Sequence, residues 1–367
     1  MPPLTLLIKP ASSLCNMRCR YCFYADVSDR RAVKSYGVMD GETARAVVRR
    51  AFQYADGAVT FGFQGGEPTL AGLDYFQNFV ALVREYNTRG LAVHYALQTN
   101  GYALDEAFAA FLAQHGFLVG LSMDGPQALH DSLRPGADGA GSYARVQGAA
   151  HLLEQYKVAF NILCVVSGPV ARAPKAVFRA LAPYGFLQFI PCLDDFGGTG
   201  ADYSLTSEDY AGLLKGCFDE YERAFYAGKY VSIRLFDNYV GMLAGRPPEA
   251  CDMRGECGGY LLVESDGGVY PCDFYVLDEW RMGNLKEQSL PRLMKSPVLA
   301  RFLQEGRSHE AACRDCQWRA LCRGGCRRHR EQERGALGPN RFCESYREFF
   351  AYAYPRMARM ARNLPRG

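Results

Sequence analysis

Cysteines carry the first chemical signal in this chain. Cys15, Cys19 and Cys22 stand in a C-x3-C-x2-C spacing, while Cys251, Cys257, Cys272, Cys313, Cys316, Cys322, Cys326 and Cys343 gather in roughly the last third. Thiolates are soft ligands that suit iron–sulfur clusters or zinc. The first group offers three of them with no fourth Cys or His nearby, which leaves one metal position open. A structural zinc site is normally closed by four ligands. The second group supplies eight thiolates, enough for two four-ligand sites, and its spacing alone permits zinc as well as clusters. Cys164, Cys192 and Cys217 lie in apolar surroundings and are expected in the core, because free cysteine packs as a small hydrophobe. The six histidines show no ligand spacing, so a histidine metal site is not expected.

Those ligands must be positioned by folded elements, and the composition permits a large core. The chain has 367 residues, 49% hydrophobic and 22% charged, which excludes wholesale disorder and suggests one large domain with a smaller one. Strand-like apolar runs at 5–8, 59–63, 93–97, 117–122, 159–165 and 186–190 alternate with helical patterns at 42–54, 75–85, 106–115, 143–156 and 174–182. Alternation of this kind predicts parallel βα units closing part or all of a barrel, with chemistry at the C-terminal strand ends. The first cysteine group follows the first strand directly. Beyond about Ser207 a long helical stretch, 210–226, leads into Gly- and Cys-rich sequence, with a composition shift near residue 247.

No apolar run approaches the ~20 residues of a membrane span, and the opening residues lack the basic n-region of a secretory signal. A cytoplasmic location is expected, where many cysteines point to metal or thiol chemistry rather than disulfides. The net charge of +3 does not suggest a nucleic-acid or membrane partner. Arg314, Arg319, Arg323, Arg327, Arg328 and Arg330 form a basic stretch among the cysteines, but interspersed Asp315, Glu331 and Glu333 read as a solvated face.

The C-x3-C-x2-C group after the first strand, with Tyr21 before its last cysteine, resembles the radical S-adenosylmethionine (SAM) enzymes. Gln64-Gly65-Gly66-Glu67-Pro68-Thr69, Gln98-Thr99-Asn100-Gly101 and Ser122-Met123-Asp124-Gly125-Pro126 follow the next strands in the family's order. The resemblance implies a partial (β/α)6 barrel in which three thiolates hold a [4Fe–4S] cluster whose fourth iron is left for SAM. It implies SAM contacts from Tyr21, Gly66 in the GGE segment, Ser122, Arg134 and Leu193. Cys322-Arg323-Gly324-Gly325-Cys326 is similar to a stretch of the SPASM domain, which carries two auxiliary [4Fe–4S] clusters. Boundaries of 1–235 for the barrel with its linker helix and 236–367 for the SPASM domain with a C-terminal helix are expected.

The likeness narrows to the anaerobic sulfatase-maturating enzymes through residues 8–13, 21–24, 63–69, 263–267 and 269–275, and extends over essentially the whole chain. It implies that Cys251, Cys257, Cys272 and Cys326 hold one auxiliary cluster and that Cys313, Cys316, Cys322 and Cys343 hold the other. The implied reaction is oxidation of a cysteine or serine in an unfolded or nascent sulfatase polypeptide to Cα-formylglycine. A 5′-deoxyadenosyl radical takes hydrogen from the target Cβ, a base takes the proton, and an electron leaves. Asp273, beside Cys272, matches the proton acceptor, with Asp278 as a rival; Tyr24 and Gln64 are expected to line the pocket. A low-potential donor such as flavodoxin or ferredoxin is implied as a partner. Two other readings stay open: a peptide maturase forming thioether or carbon–carbon crosslinks, and a non-catalytic zinc scaffold.

Overall fold

A computed structural model describes residues 3–364 except 197, 199, 308–310 and 332–336. Ten strands are assigned among these residues: β1 Leu4–Ile8, β2 Ala58–Phe63, β3 Ala92–Thr99, β4 Phe117–Ser122, β5 Phe160–Val166, β6 Phe186–Pro191, β7 Ser232–Ile233, β8 Leu261–Val263, β9 Gly268–Tyr270 and β10 Gly283–Asn284. The six expected strands match β1 to β6 within a residue or two. Four more are only two or three residues long, too short for a period-two pattern to register.

The chain divides into two compact units. The first comprises 1–122, 134–160 and 258–303. Here β1 to β4 run parallel in sequence order, with Leu4 opposite Val59 and Ala58 opposite Ala92. Parallel strands need covered faces, and the helices Gly41–Tyr54, Leu73–Tyr86, Glu106–Gln114 and Tyr143–Gln155 separate the strands in the chain. Asp40 and Asp105 cap two of these helices by accepting from the N–H groups of Thr43 and Phe108. Phe61, Phe63, Phe76, Phe79 and Phe117 are fully buried, and Phe63 meets Phe76 and Phe79 edge-on at about 5 Å. On the far side of β1 the short strand β8 joins in parallel, followed by antiparallel β9 and β10. The segment carrying Cys272 therefore extends the sheet that carries the first cysteine group.

The second unit comprises 123–133, 161–257 and 304–367. Its strands β5, β6 and β7 are again parallel. The long helices Ser207–Tyr226 and Cys343–Arg362 pack along one another. Tyr210 meets Phe342 and Tyr346, and Phe218 meets Phe349. Ser207 and Ser345 share a hydroxyl contact of 2.7 Å, and Arg356 reaches both Asp219 and Glu222. Cys164, Cys192 and Cys217 are all buried. Among the described residues no helix is long and apolar enough to cross a membrane.

Candidate active site

In the first unit the cysteine loop begins where β1 ends. Cys15 and Cys19 are half-buried and Cys22, at the N-terminus of the helix Phe23–Asp29, is exposed. The loop is held by backbone pairing with the 135–137 segment: Arg18 N donates to Pro135 O and Ala137 N to Asn16 O. Arg134 thereby lies beside the loop, its Nη1 3.9 Å from Cys19 Sγ and its guanidinium 5.4 Å from the ring centre of Tyr21. Asn100, at the end of β3, points its amide at Cys15 Sγ from 3.8 Å. Burial pushes the Cys15 thiol up to about 11, a cost that a bound iron would remove by taking the deprotonated sulfur.

The GGE segment is built into the same loop. Gly66 N donates to Ser12 O, and Glu67 N to Leu14 O at 2.7 Å. A Cβ on Gly66 would stand 2.1 Å from the Leu14 carbonyl oxygen, so only glycine fits. Glu67 is buried, and its carboxylate accepts from Thr69 N, Thr69 Oγ1, Thr99 Oγ1 and Asn100 N. Burial raises this carboxyl, opposed by those four hydrogen bonds. Glu67 thus pins the end of β3 to the cysteine loop. Ser122 closes β4, half-buried.

The implied base sits against a buried lysine. Asp273 is 8% exposed, and Lys9, 1% exposed, reaches its Oδ1 with Nζ at 2.6 Å. The two atoms are close but off hydrogen-bond alignment. The Lys9 ammonium also lies 3.6 Å from the ring centre of Tyr24, a cation–π contact in a desolvated place. Of the aromatics beside Asp273, Phe274 meets Phe23 at 4.9 Å, while Tyr275 turns into the core against Phe302. Tyr24 itself donates to Glu264, which pairs with Arg31 at 2.7 Å. Burial first, and then the Glu264 charge, raise the Tyr24 phenol well above its ordinary value, which suits it to packing rather than proton uptake. Gln64 is buried with its Nε2 lacking a partner. An orphan donor of this kind is costly unless a ligand satisfies it. Asp278 is exposed and accepts from Ala32 N, away from this cluster of groups.

Cys272 also belongs to the first unit, and Tyr260 Oη lies 3.3 Å from its sulfur. In the second unit, Cys322 is pushed up to about 11 by burial, with the nearby Cys343, Cys313 and Cys316 adding in turn through their charges. Cys251 is likewise raised to about 11 by burial and by its neighbour Cys257. Among the described residues, no three His, Cys, Asp or Glu side chains sit at the spacing of a single metal ion. Soft thiolates are the donors that iron–sulfur clusters take, so the donor set fits them. Leu193, just after β6, is buried.

The basic stretch is solvated only in part: Arg314 and Arg319 are exposed, but its later arginines turn inward. Arg327 and Arg330 are 3% and 4% exposed, because their guanidinium groups find partners inside the fold. Arg327 pairs with Glu305 at 2.7 Å, and Arg330 donates to the Gly306 carbonyl. Lys9 was missed too. Its signal was a lysine immediately after the first strand, where parallel folds keep their chemistry.

Residues 10–169 match the family described as Radical SAM superfamily, and residues 255–317 the one described as Iron-sulfur cluster-binding domain. A cysteine-type anaerobic sulfatase-maturating enzyme of Clostridium perfringens is 46% identical, covering 99% of this chain and 100% of its own. A serine-type anaerobic sulfatase-maturating enzyme of Klebsiella pneumoniae is 32% identical over 95% of this chain and 87% of its own. The solved structure of native anSMEcpe with bound AdoMet and Cp18Cys peptide is 44% identical. It superposes with a TM-score of 0.94 over 99% of this chain and 100% of that one.

Proposed function

The chain belongs to the anaerobic sulfatase-maturating enzymes, and from that premise we propose that it oxidises a cysteine of a sulfatase polypeptide to Cα-formylglycine without oxygen. It is a radical SAM oxidoreductase that uses iron–sulfur clusters and SAM. The observation that carries the reading is the end-to-end likeness to a relative solved with AdoMet and a peptide. The greater identity to the cysteine-type relative supports cysteine over serine as the target.

Three [4Fe–4S] clusters are inferred: one on Cys15, Cys19 and Cys22, one on Cys251, Cys257, Cys272 and Cys326, and one on Cys313, Cys316, Cys322 and Cys343. The nearness of Cys343, Cys313 and Cys316 to Cys322, and of Cys257 to Cys251, supports this grouping. When bound, the first cluster and SAM supply the 5′-deoxyadenosyl radical that takes hydrogen from the target Cβ. Tyr21, Gly66, Ser122, Arg134 and Leu193 are the SAM-binding residues in this reading. The Arg134 guanidinium beside Cys19 suits a carboxylate, since its fork donates to two oxygens at once. Gln64 Nε2 offers the substrate a hydrogen bond that the protein itself does not use.

Asp273 takes the substrate thiol proton, and Lys9 holds the carboxylate in place while it does so. An auxiliary cluster would accept the electron that the substrate radical must lose to become a thioaldehyde, and hydrolysis of that thioaldehyde, with release of sulfide, completes the aldehyde. The barrel and its linker helix are assigned to 1–235 and the cluster-binding domain to 236–367. A flavodoxin or ferredoxin is inferred as electron donor, and the cytoplasm as location; fourteen cysteines without a disulfide support a reducing compartment. The test is anaerobic incubation of the reconstituted enzyme with SAM, a reductant and a sulfatase-motif cysteine peptide. Aldehyde at the cysteine is expected, whereas a crosslinked peptide supports the other maturase reading and overturns this one.

A further inference from the structure

The arginines among the C-terminal cysteines include two whose placement the reaction has not yet used. Arg328 stands two positions after Cys326, and Arg341 two positions before Cys343. Both reach the same short segment, the one that follows Leu193 after β6. Arg328 Nη2 donates to the Asp194 carbonyl at 2.8 Å, and its guanidinium lies 3.7 Å over the Phe196 ring. Arg341 pairs with the Asp194 carboxylate at 2.6 Å and donates to Leu205 O at 3.1 Å. Ser204 Oγ closes the loop onto the other Asp194 oxygen at 2.8 Å. The two arginines are tied to each other, since Arg341 N donates to the carbonyl of His329. His329 packs on Phe342 at 5.2 Å.

A segment with glycines at 198 and 200 has backbone freedom to lose. Here two guanidinium groups, a hydroxyl and a ring contact fix its first and last residues. We propose that Arg328 and Arg341 are positioning residues for SAM. They clamp Asp194 so that Leu193 is preorganised, and they tie SAM affinity to assembly of the cluster-binding cysteines on either side of them. This rests on the reading of Leu193 as a SAM contact. The advantage is functional order: a chain whose auxiliary clusters are missing holds Leu193 loosely, binds SAM poorly, and does not spend it without product.

The experiment uses the reconstituted holoenzyme and labelled SAM in equilibrium dialysis, with amide hydrogen exchange of 193–206 as a second readout. Arg328→Gln and Arg341→Gln should each weaken SAM about tenfold, the scale of one lost charged hydrogen bond. The double variant should be little worse than either single one, because both act through Asp194. Exchange across 193–206 should quicken in the SAM-free variants, and the loss should fall on KM for SAM more than on kcat. Arg341→Lys should recover part of the affinity. Asp194→Asn breaks the Arg341 pair far in sequence from the cysteines read as cluster ligands and should reproduce the effect, which decides the matter if an arginine variant loses iron. Unchanged SAM affinity and unchanged exchange in Asp194→Asn overturn the clamp. Leu193→Ala separates the two claims: if it leaves SAM affinity intact, the Leu193 contact fails. If it weakens SAM while the clamp variants do not, only the clamp fails.

Discussion

Replacing Lys9 by Met takes away the cation that sits against Asp273. The pair is separated by 2.6 Å with side chains only 1% and 11% exposed, so at an effective dielectric near 20 its Coulomb energy is about 6 kcal/mol. Truncating one partner of a buried pair costs about 3–5 kcal/mol, because the other charge is left uncompensated. The off-axis geometry of this pair puts it at the lower end. The Asp273 carboxylate is then no longer held by its cation, and the proposed base is lost from its place. Lys9→Met should therefore behave as Asp273→Asn does: SAM cleavage persists while formylglycine yield falls by ~10²–10⁴-fold, the range for a lost positioned base. Combining the two should cost little beyond either alone, since the same function has already gone. Lys9→Arg should retain part of the coupling. The assay is the ratio of 5′-deoxyadenosine to formylglycine in single and double variants. A wild-type ratio in Lys9→Met would refute the reasoning, and a wild-type ratio in Asp273→Asn would send the search for the base elsewhere.

Three further outcomes follow from the geometry. Cys19→Ala should abolish 5′-deoxyadenosine formation while iron bound by the C-terminal thiolates is retained; continued SAM cleavage would remove Cys19 from the first cluster. Cys316→Ala should lower iron content and solubility, because a metal-dependent region loses folding energy with a ligand; normal iron and normal thermal stability would argue that Cys316 binds none. Gly66→Ala would set a Cβ 2.1 Å from the Leu14 carbonyl oxygen. A backbone atom cannot rotate away, so first-cluster iron and SAM binding should both fall, and intact binding would show that the loop can yield.

The parallel strands were legible because runs such as Val59–Phe63 and Phe117–Ser122 are apolar, bounded by turns and spaced by helices. The candidate ligands stood out because cysteine is rare enough for its spacing to mean something. What escaped was whatever depends on residues far apart in the chain meeting in space. Lys9 and Asp273, or Arg31 and Glu264, are paired across more than two hundred residues, and nothing local in a lysine or a glutamate announces its partner. The short strands β8 to β10 escaped for a different reason. Two or three residues cannot display a period, and their stability comes from the neighbouring β1 rather than from their own composition. Arg327 and Arg330 escaped because interspersed acidic residues resemble a solvated face, whereas these two side chains are buried, Arg327 pairing with Glu305 and Arg330 with the Gly306 carbonyl.

The central claim is that hydrogen leaves the cysteine Cβ and that the same carbon becomes the aldehyde. A sulfatase-motif peptide carrying β-deuterated cysteine, incubated anaerobically with the reconstituted enzyme, SAM and a reductant, tests it in one mass-spectrometric measurement. The account predicts deuterium in 5′-deoxyadenosine, matched by formylglycine that retains one deuterium. Product that forms with no deuterium in 5′-deoxyadenosine, or deuterium transfer that yields a crosslinked peptide and no aldehyde, would contradict it.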